Sequence, residues 1–599
     1  MKSNAKTTKW NLAPIFKDDK YFIRKRLDLE KNNYAFIKKW KNRTDYLSDP
    51  IVLKEALDEY EKLNRTYGTY GDEGFYYSLR SALDENDPNI KAKSKKINEF
   101  SDKIDNDMLF FEMNISKIPK EEQKRFLDSP GLNKYRHYLE RAFATAKYML
   151  SEPEEKILNL KSNTSYSNWV QMLSGFLSKE ERSVFYSNSK KKIMSFSEIL
   201  ALMDSKNKKV RDSAANAFND ILKKNSDSAE AEMNSILENK KIDDELRKIK
   251  RPDLTRHISD DIDSEIVDSM IECTAERYDI SRRYYRLKAR LLGVKKLRYH
   301  ERNLEYGRIT KKYSYDVALN LVSEVFSKLD PEFSDILNYF SENGRIDVYP
   351  KLGKSHGAFC ADSLISQPVY VLLNHDESIR SVLTFAHEMG HAINSTLMQK
   401  RVNSLNFDTP LSTAEVASTF MENFVLQELL TNADDELKLS ILMMKLDSDV
   451  STIFRQVACY RFELELHSEF RKRGYLSKEA IGIIFMKHMK SYMGDSIELS
   501  PGCENWWIYW EHIRQFFYVY SYASGILISK SLQNSTRKDK RFISKVKEFL
   551  SSGETRSPKD LFLSLDIDIS DRQFWKKGIE EVEELLRETT ILAKKLKKI

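Results

Sequence analysis

Apolar residues recur every three or four positions along most of the chain, which is the spacing that places them on one face of an α-helix. Residues 20–345 contain successive segments of this kind, such as "PIVLKEALDEYEKLNRTY", separated by short polar breaks. Residues that end helices are scarce, since only 18 glycines and 13 prolines occur among 599 residues. The pattern therefore predicts a mostly α protein. The basic, serine-rich stretch "SNSKKKIMSFS" marks a boundary between an N-terminal helical region, residues 1–195, and a second region, residues 196–599.

The helical pattern is interrupted between residues 346 and 375. Gly353 and Gly357 break the period there, and "PVYVLLN" is rich in residues that favour strands. We expect a small sheet, with "SHGAFCA" as one of its strands.

Regular helices resume after this sheet. Asp376 is expected to cap a helix over about residues 377–398, and a second helix over about residues 412–430 follows Pro410. A long helical stretch follows and is predicted to end at Gly474, a residue type typical of helix ends.

Composition narrows the class of protein. Apolar residues make up 41% and charged residues 32% of the chain, which is typical of a soluble globular protein. The net charge of +7 is a mild excess and does not indicate nucleic acid. The densest basic run, residues 594–598, is interpreted as a solvated helix end, with a nucleic-acid or membrane patch as the alternative. We therefore expect neither a nucleic acid nor a membrane as partner.

The cysteines and the start of the chain favour the cytoplasm. Only four cysteines occur, far apart and without a CxxC pair, which fits free thiols in a reducing compartment. The first residues contain no apolar stretch of signal-peptide length, and no run of about 18 apolar residues occurs anywhere.

One segment, "LTFAHEMGHAIN", places His387, Glu388 and His391 within an otherwise apolar helix. Histidines four residues apart lie on one helix face, so their ring nitrogens can bind one zinc ion. In this H-E-x-x-H arrangement the glutamate acts as a general base. The alternative is that the histidines are ordinary hydrogen-bonded core residues. Three unpaired polar groups would, however, each cost about 1–3 kcal/mol, whereas a metal satisfies all three.

The next helix offers a third zinc ligand. In "LSTAEVASTFMENF", Glu415 is the predicted ligand, and Glu422 lies two turns further along the same face. Glu422 is a candidate for orienting a ligand histidine from behind the metal shell. Its alternative is a charge that faces solvent.

Four motifs together resemble the thimet-oligopeptidase-like zinc peptidases, and within them the oligoendopeptidase F group. They are "HEMGHAIN", "EVASTFMEN", "GKSHGAFCAD" and "HIRQFFYVYSYASG", and weaker likeness extends over nearly the whole chain. The resemblance implies an elongated helical metallopeptidase fold with a deep substrate channel, one zinc ion at its floor, and a small β-sheet beside the zinc site. It also makes residues 196–599 the catalytic zinc-peptidase domain.

The resemblance implies two further groups of site residues. The "GAFC" strand is expected to pair with the substrate backbone, which makes Gly357, Ala358 and Phe359 substrate-binding residues. A glycine needed only for a bend is the alternative at position 357. Short peptides are the substrates this implies, since folded proteins are too wide for the channel.

The last motif is expected to stabilise the tetrahedral oxyanion. His512, Tyr518 and Tyr522 are the expected hydrogen-bond donors, and the two tyrosines share a face if the segment is helical. Tyr520 is an alternative to either tyrosine, and an aromatic core is the alternative for all three. The best-described relatives have a glycine pair after the histidine and a third tyrosine, whereas this chain reads "HIRQ".

These residues predict a zinc-dependent endopeptidase with Glu388 as the general base. One rival is a metallocarboxypeptidase, which needs a basic residue such as Arg514 to bind the substrate carboxylate. The other is an inactive peptide-binding relative, although the intact ligand set argues against it. The sequence leaves the oligomeric state open.

Overall fold

The chain is described here from a computed structural model that covers residues 7–307 and 309–599. Most of these residues lie in helices and only a few in strands, which confirms the prediction of a mostly α protein. The first six residues, on which part of the prediction about the chain start depends, lie outside the described residues.

The helices are given in chain order. The first thirteen are α1 (Asp19–Trp40), α2 (Pro50–Thr66), α3 (Gly71–Leu83), α4 (Pro88–Ser116), α5 (Lys120–Leu127), α6 (Arg136–Thr145), α7 (Glu152–Ser162), α8 (Asn168–Ser178), α9 (Phe196–Leu202), α10 (Lys208–Lys224), α11 (Ser226–Leu246), α12 (Leu254–Ser259) and α13 (Ser264–Glu276). The others are α14 (Tyr278–Leu291), α15 (Tyr315–Leu329), α16 (Pro331–Glu342), α17 (Ile379–Arg401), α18 (Leu411–Thr431), α19 (Asp435–Asp449), α20 (Gln456–Arg473), α21 (Lys478–Met493), α22 (Tyr520–Lys538), α23 (Ile543–Leu550), α24 (Pro558–Leu563) and α25 (Arg572–Lys595).

The chain forms two compact units, each assembled from three separate stretches. The first unit contains Met1–Glu152, Thr310–Asn432 and Ile528–Ile567, and the second contains Pro153–Ile309, Ala433–Leu527 and Asp568–Ile599. The division into residues 1–195 and 196–599 stays a prediction.

Several helices of the first unit begin at an Asp-Pro pair. Asp49, Asp87 and Asp330 precede α2, α4 and α16, and each side chain accepts a hydrogen bond from a backbone amide of the first turn. The proline that follows has no amide hydrogen to leave unsatisfied, and its fixed φ suits the first helical position. These helix starts are therefore encoded locally.

The strands form three small sheets. Strands β1 (Glu181–Phe185) and β2 (Lys191–Ser195) are antiparallel, and β3 (Leu297–Arg298) pairs in parallel with β7 (Ile497–Glu498). The third sheet has the order β4-β6-β5, with β4 at Ile346–Asp347, β5 at Phe359–Ala361 and β6 at Tyr370–Leu372. It packs on α17, so the predicted small sheet is present next to the H-E-x-x-H helix.

Strand β5 is shorter than the predicted "SHGAFCA" strand. Pairing with β6 is antiparallel and runs from Phe359 opposite Leu372 to Ala361 opposite Tyr370. Gly357 has a φ of +81°, a left-handed conformation that ends the extended backbone.

Helix α17 begins two residues later than predicted. Glu377 has a φ of +65° and cannot belong to a right-handed helix. Ser378 is therefore the N-cap, and its side chain accepts from the Ser381 amide. Asp376 instead accepts a hydrogen bond from the Ser378 amide at 3.0 Å. Helix α18 lies within one residue of its predicted bounds.

The long helical stretch in the second unit ends where the sequence predicts. Helices α19 and α20 are joined through a π-helical segment, Val450–Arg455, and α20 ends at Gly474. Gly474 has a φ of +75°, the left-handed conformation that commonly caps helices.

Three observations bear on compartment and partners. Within the described part of the chain, no helix combines the length and hydropathy needed to cross a bilayer. All four cysteines are free thiols. In the basic run at the chain end, Lys595 and Lys598 pair with Asp435 and Glu436. The cytoplasmic location and the absence of a nucleic-acid partner stay predictions.

Candidate metal centre

The predicted zinc ligands come together in the first unit. His387 and His391 lie one turn apart on α17, and Glu415 lies on the neighbouring helix α18. The Nε2 atoms of His387 and His391 lie 3.3 Å and 3.8 Å from the same oxygen, Glu415 Oε2. In a tetrahedral zinc site with bonds of about 2.1 Å, neighbouring ligand atoms lie about 3.4 Å apart. The three donor atoms are thus spaced to fit one metal ion.

A glycine inside the motif lets the two helices approach. A Cβ at Gly390 would lie 2.6 Å from the Ser418 Cα and 2.8 Å from the Ala417 carbonyl oxygen. Any side chain there would push α18 away and carry Glu415 out of range. A glycine in a helix interior costs about 1 kcal/mol of helix stability relative to alanine. Its presence in "HEMGH" is therefore a signal in the sequence for a close approach of another helix.

Glu422 contacts the metal-binding group from behind. Its Oε2 lies 3.0 Å from Nδ1 of His387. A proton on Nδ1 that is donated to this carboxylate leaves Nε2 free to bind a metal, which is the usual arrangement for a ligand histidine. The alternative of a charge that faces solvent does not describe Glu422.

The charges of the group call for a cation at its centre. Burial opposes ionisation of His387, yet its hydrogen bonds with Glu415 and Glu422 raise its pKa well above the ordinary value. Burial and the neighbouring His387 lower the pKa of His391 to about 4. Despite its burial, Glu415 has its pKa lowered to about 2 by His387 and His391. Glu415 and Glu422 thus both contact the ring of His387, and a divalent cation would suit this set of nitrogen and oxygen donors.

Glu388 lies next to the predicted ligands and is 7% exposed. Burial raises its pKa to about 7, an effect that His387 opposes and Glu415 reinforces. A carboxyl group that titrates near neutrality suits proton transfer at physiological pH. The backbone amide of Cys360 on β5 lies close enough to the Glu388 carboxyl group to oppose the rise in its pKa. Sequence reasoning missed this contact.

The thiol of Cys360 is not an alternative nucleophile. Burial raises its pKa well above the ordinary value, and the nearby Asp362 and Glu388 raise it further. The thiolate, which is the reactive form, is therefore suppressed.

The expected substrate strand presents one free edge. Within the described residues, β5 pairs only with β6, and Ala358 and Phe359 are partly exposed. A Cβ at Gly357 would meet nothing within 4 Å. The positive φ of Gly357 is by itself a reason for a glycine at this position, which agrees with the alternative that the glycine serves a bend. The binding role of Gly357, Ala358 and Phe359 stays a prediction.

His512, Tyr518 and Tyr522 form a cluster of their own in the second unit. Nε2 of His512 lies 3.1 Å from the Tyr522 hydroxyl, and the rings of Tyr518 and Tyr522 lie 5.5 Å apart. All three side chains are partly exposed. Burial lowers the pKa of His512, and the charge of Arg455 adds to this effect, so the imidazole is neutral at pH 7.

Tyr520 differs from its two neighbours. It is 0% exposed, and its hydroxyl donates to Asp260 Oδ2 at 2.6 Å. Tyr520 is therefore a core residue, whereas the roles of Tyr518 and Tyr522 stay predictions.

A second group of potential ligands lies in the second unit, namely Asp212, His300 and Glu301. Its carboxylates are already paired with the basic side chains of Lys208, Arg298 and Arg211. A metal would have to compete with three cations, so this group is an ion-pair network.

Fold and site together define a class of protein. A mostly helical chain with H-E-x-x-H on one helix and a glutamate ligand on the next has the metal-binding architecture of a helical metallopeptidase.

Comparison with known protein families identifies the family of metallopeptidases to which the chain belongs. The model of peptidase family M3 matches residues 201–581, and the model described as oligopeptidase F matches residues 114–173. The first match covers more than half of the chain, so the chain belongs to peptidase family M3. It is a metalloendopeptidase of the oligopeptidase kind.

Individual relatives are similar to this chain over nearly its full length. The chain is 25% identical to an oligoendopeptidase F homolog of Borreliella burgdorferi, over 97% of this chain and 98% of the relative. It is 24% identical to oligopeptidase PepF of Bacillus subtilis, over 96% of this chain and 87% of the relative. The crystal structure of oligoendopeptidase-F from Enterococcus faecium has the same fold, with a TM-score of 0.73 at 18% identity over 96% of this chain and 99% of that chain.

Proposed function

We propose that this protein is a zinc-dependent endopeptidase that hydrolyses internal bonds of short unstructured peptides, with one zinc ion per chain. The observation that carries the proposal is the placement of three donor atoms, from His387, His391 and Glu415, around one point. Glu388 lies beside them with a pKa near neutrality. The names of the relatives, which describe oligoendopeptidases, support the same activity.

His387, His391 and Glu415 would hold the metal in this proposal, and Glu422 would fix the ring of His387. Bound zinc supplies Lewis acidity towards a carbonyl group and makes water easier to deprotonate. Glu388 accepts the proton from the attacking water and passes it to the amine that leaves. A carboxyl group with a pKa near 7 can perform both transfers, because neither of its protonation states is strongly favoured.

The substrate-binding part of the proposal assigns one role to each remaining motif. The free edge of β5, with Phe359 and the preceding Gly357 and Ala358, pairs with the extended backbone of the peptide. A folded protein has already used its backbone amides in its own hydrogen bonds, so it cannot pair in this way. His512, Tyr518 and Tyr522 donate hydrogen bonds to the oxyanion of the tetrahedral intermediate.

The carboxypeptidase alternative loses its candidate anchor. Arg514 is 4% exposed, and its guanidinium forms two hydrogen bonds of 2.8 Å with the buried carboxylate of Glu232. It also donates to the carbonyl oxygens of Trp507 and Trp510. A side chain engaged in this way is not available to bind the carboxylate of a substrate.

We expect internal cleavage of a C-terminally amidated peptide of about ten residues, roughly the length that one extended strand offers to a cleft. The same peptide with a free C-terminus is the matched control and should be cut at a similar rate, because the proposed mechanism needs no carboxylate anchor. A stably folded protein in the same reaction should stay intact. Mass spectrometry of the products distinguishes internal cleavage from the removal of C-terminal residues. Stepwise loss of C-terminal residues that stops on amidation would establish a carboxypeptidase instead.

Removing a proposed oxyanion donor should lower kcat with little change in KM. We expect His512→Ala and Tyr522→Phe each to lower kcat by about 10²- to 10³-fold, since such donors act mainly in the transition state. Tyr509→Phe is a suitable control, because this tyrosine is 40% exposed and has no proposed role. Steady-state kinetics on one peptide measures all three variants. Unchanged kcat in both test variants would assign this cluster to the aromatic core.

A further inference from the structure

The segment that carries two of the proposed oxyanion donors, His512 and Tyr518, has a strained backbone. We call residues 512–518 the donor segment; it precedes α22. Phe516 and Phe517 have φ values of +42° and +58°. Residues with a side chain rarely adopt this left-handed region, and two in succession cost free energy that surrounding contacts have to offset. The described contacts of the donor segment provide such support before the turn and at the turn itself.

The first support is a buried ion pair before the turn. Arg514 is bound through two parallel hydrogen bonds to Glu232 on α11, a residue with 0% exposure. The carbonyl oxygen of Arg514 accepts a hydrogen bond from the Tyr166 hydroxyl. Arg256 donates to the carbonyl oxygen of Gln515 at 3.1 Å. A bidentate pair of this kind fixes orientation as well as distance.

The second support lies at the turn itself. The backbone amide of Phe517 donates to Glu463 Oε2 at 2.6 Å, and Glu463 on α20 is 0% exposed. The other carboxyl oxygen, Oε1, has no hydrogen-bond partner among the described residues. The Phe517 ring lies 4.9 Å from the His467 ring and 5.5 Å from the Tyr460 ring. The amide is thus held by a carboxyl group that has no other partner.

Near pH 7 the side chain of Glu463 is mostly in its protonated, neutral form. Burial raises its pKa to about 8, an effect that the Phe517 amide and Arg256 oppose and Asp253 reinforces. A neutral carboxyl group can accept through its carbonyl oxygen, and the amide of glutamine can do the same. Glutamine is therefore a close mimic of the native side chain at this position.

We propose that Glu463 is a positioning residue for the reaction, which holds the left-handed turn at Phe516 and Phe517 and so places Tyr518 beside His512. The ring of Tyr518 lies directly after this turn and is 5.7 Å from the ring of His512. Glu463 itself does not touch substrate in this proposal. The inference rests on the proposed function, because it explains how the donors of that function are kept in place.

The test compares two replacements of Glu463. Glu463→Met has a similar length but no strong acceptor for the Phe517 amide, and we expect it to lower kcat on a peptide by about 10- to 100-fold, the order of loss that a small misplacement of catalytic groups causes. KM and zinc content should not change. Glu463→Gln keeps the acceptor and should retain kcat within about threefold of the wild type, because the hydrogen-bonding role is preserved.

A second comparison separates positioning from general destabilisation. In a His512→Ala background the Met replacement should have a much smaller effect, since residues that act through one unit are not additive. Asp447→Asn is the matched control. It removes the negative charge that pairs with the buried Lys288 in the same unit, and we expect it to lower the melting temperature without lowering kcat. If Glu463→Met does not fold, Glu463→Leu replaces it, because leucine likewise offers no acceptor to the Phe517 amide.

Several results would overturn the proposal. They are a wild-type kcat for the folded Met variant, a full additional loss in the His512→Ala background, or a glutamine variant as impaired as the methionine variant. Failure of the proposed function and failure of the positioning role give different results. A wild-type protein that cuts no peptide contradicts the proposed function together with this inference, whereas normal wild-type cleavage with a fully active Glu463→Met variant contradicts the positioning role alone.

Discussion

Replacing Glu388 by glutamine should lower kcat by about 10²- to 10⁴-fold, the usual contribution of general acid–base catalysis, while leaving the metal content unchanged. Glutamine has the same shape, and its side-chain oxygen can still face the Cys360 amide, so the packing against β5 is preserved. It cannot accept a proton from water or deliver one to the leaving amine. Single-turnover kinetics on a peptide, together with metal analysis of the same sample, measures both quantities.

The control for this variant is a glutamate on the neighbouring helix. Glu428 lies on α18 and pairs with Lys328 at 3.3 Å on the protein surface. Such exposed pairs contribute about 0–1 kcal/mol, so Glu428→Gln should leave both kcat and zinc content unchanged. Near-normal turnover by a zinc-loaded Glu388→Gln variant would remove Glu388 from the role of base.

The grouping of His387, His391 and Glu415 could be predicted because helix geometry determines most of it. His387 and His391 are one turn apart in any α-helix, and the apolar pattern around them leaves little choice other than a helix. Glu415 and Glu422 are two turns apart on the next helix, so one can reach the metal while the other reaches the ring of His387. Short-range periodicity is enough for each of these steps.

Contacts between distant segments could not be predicted in this way. The proximity of the Cys360 amide to Glu388 depends on how β5 packs against α17. Arg514 is paired with Glu232, a residue far away in the sequence, and this pairing removes it as an anchor for a substrate carboxylate. Neither partner is marked by a local pattern. The same reason explains why two units built from three separate stretches each are not visible as domains along the chain.

Local backbone strain also could not be predicted from the sequence. Nothing in "NHDESIR" indicates that Glu377 adopts a φ of +65°, so the sequence predicts a start of α17 two residues before the observed one. In "QFFYVYSY" the residue types favour a regular segment, yet Phe516 and Phe517 form a left-handed turn. Helix α22 consequently begins at Tyr520, and Tyr518 lies before the helix. Strain of this kind is stored at functional sites and is supported by tertiary contacts.

Replacing Glu415 by alanine should remove most of the bound zinc and, with it, peptide cleavage. His387 and His391 would remain as the only protein donors in the group, and two ligands from one helix bind a metal far more weakly than three. Loss of a residue that only orients a ligand costs about 10- to 100-fold in metal affinity, so loss of a ligand should cost at least about 100-fold. Equilibrium dialysis against zinc, followed by metal analysis, gives the affinity of the variant and of the wild type.

The fold should survive this change, which makes the measurement specific. Glu415 is partly exposed and accepts a hydrogen bond from the Ser418 hydroxyl, which also has the Glu415 carbonyl oxygen as an acceptor and stays satisfied in the variant. The close packing of α17 on α18 depends on Gly390 and the Ser418 backbone, which are unchanged. A circular-dichroism spectrum like that of the wild type, with zinc lost, is the expected result. An alanine variant that retains one zinc ion per chain at wild-type affinity would show that the third ligand is another residue, and the assignment of Glu415 would be wrong.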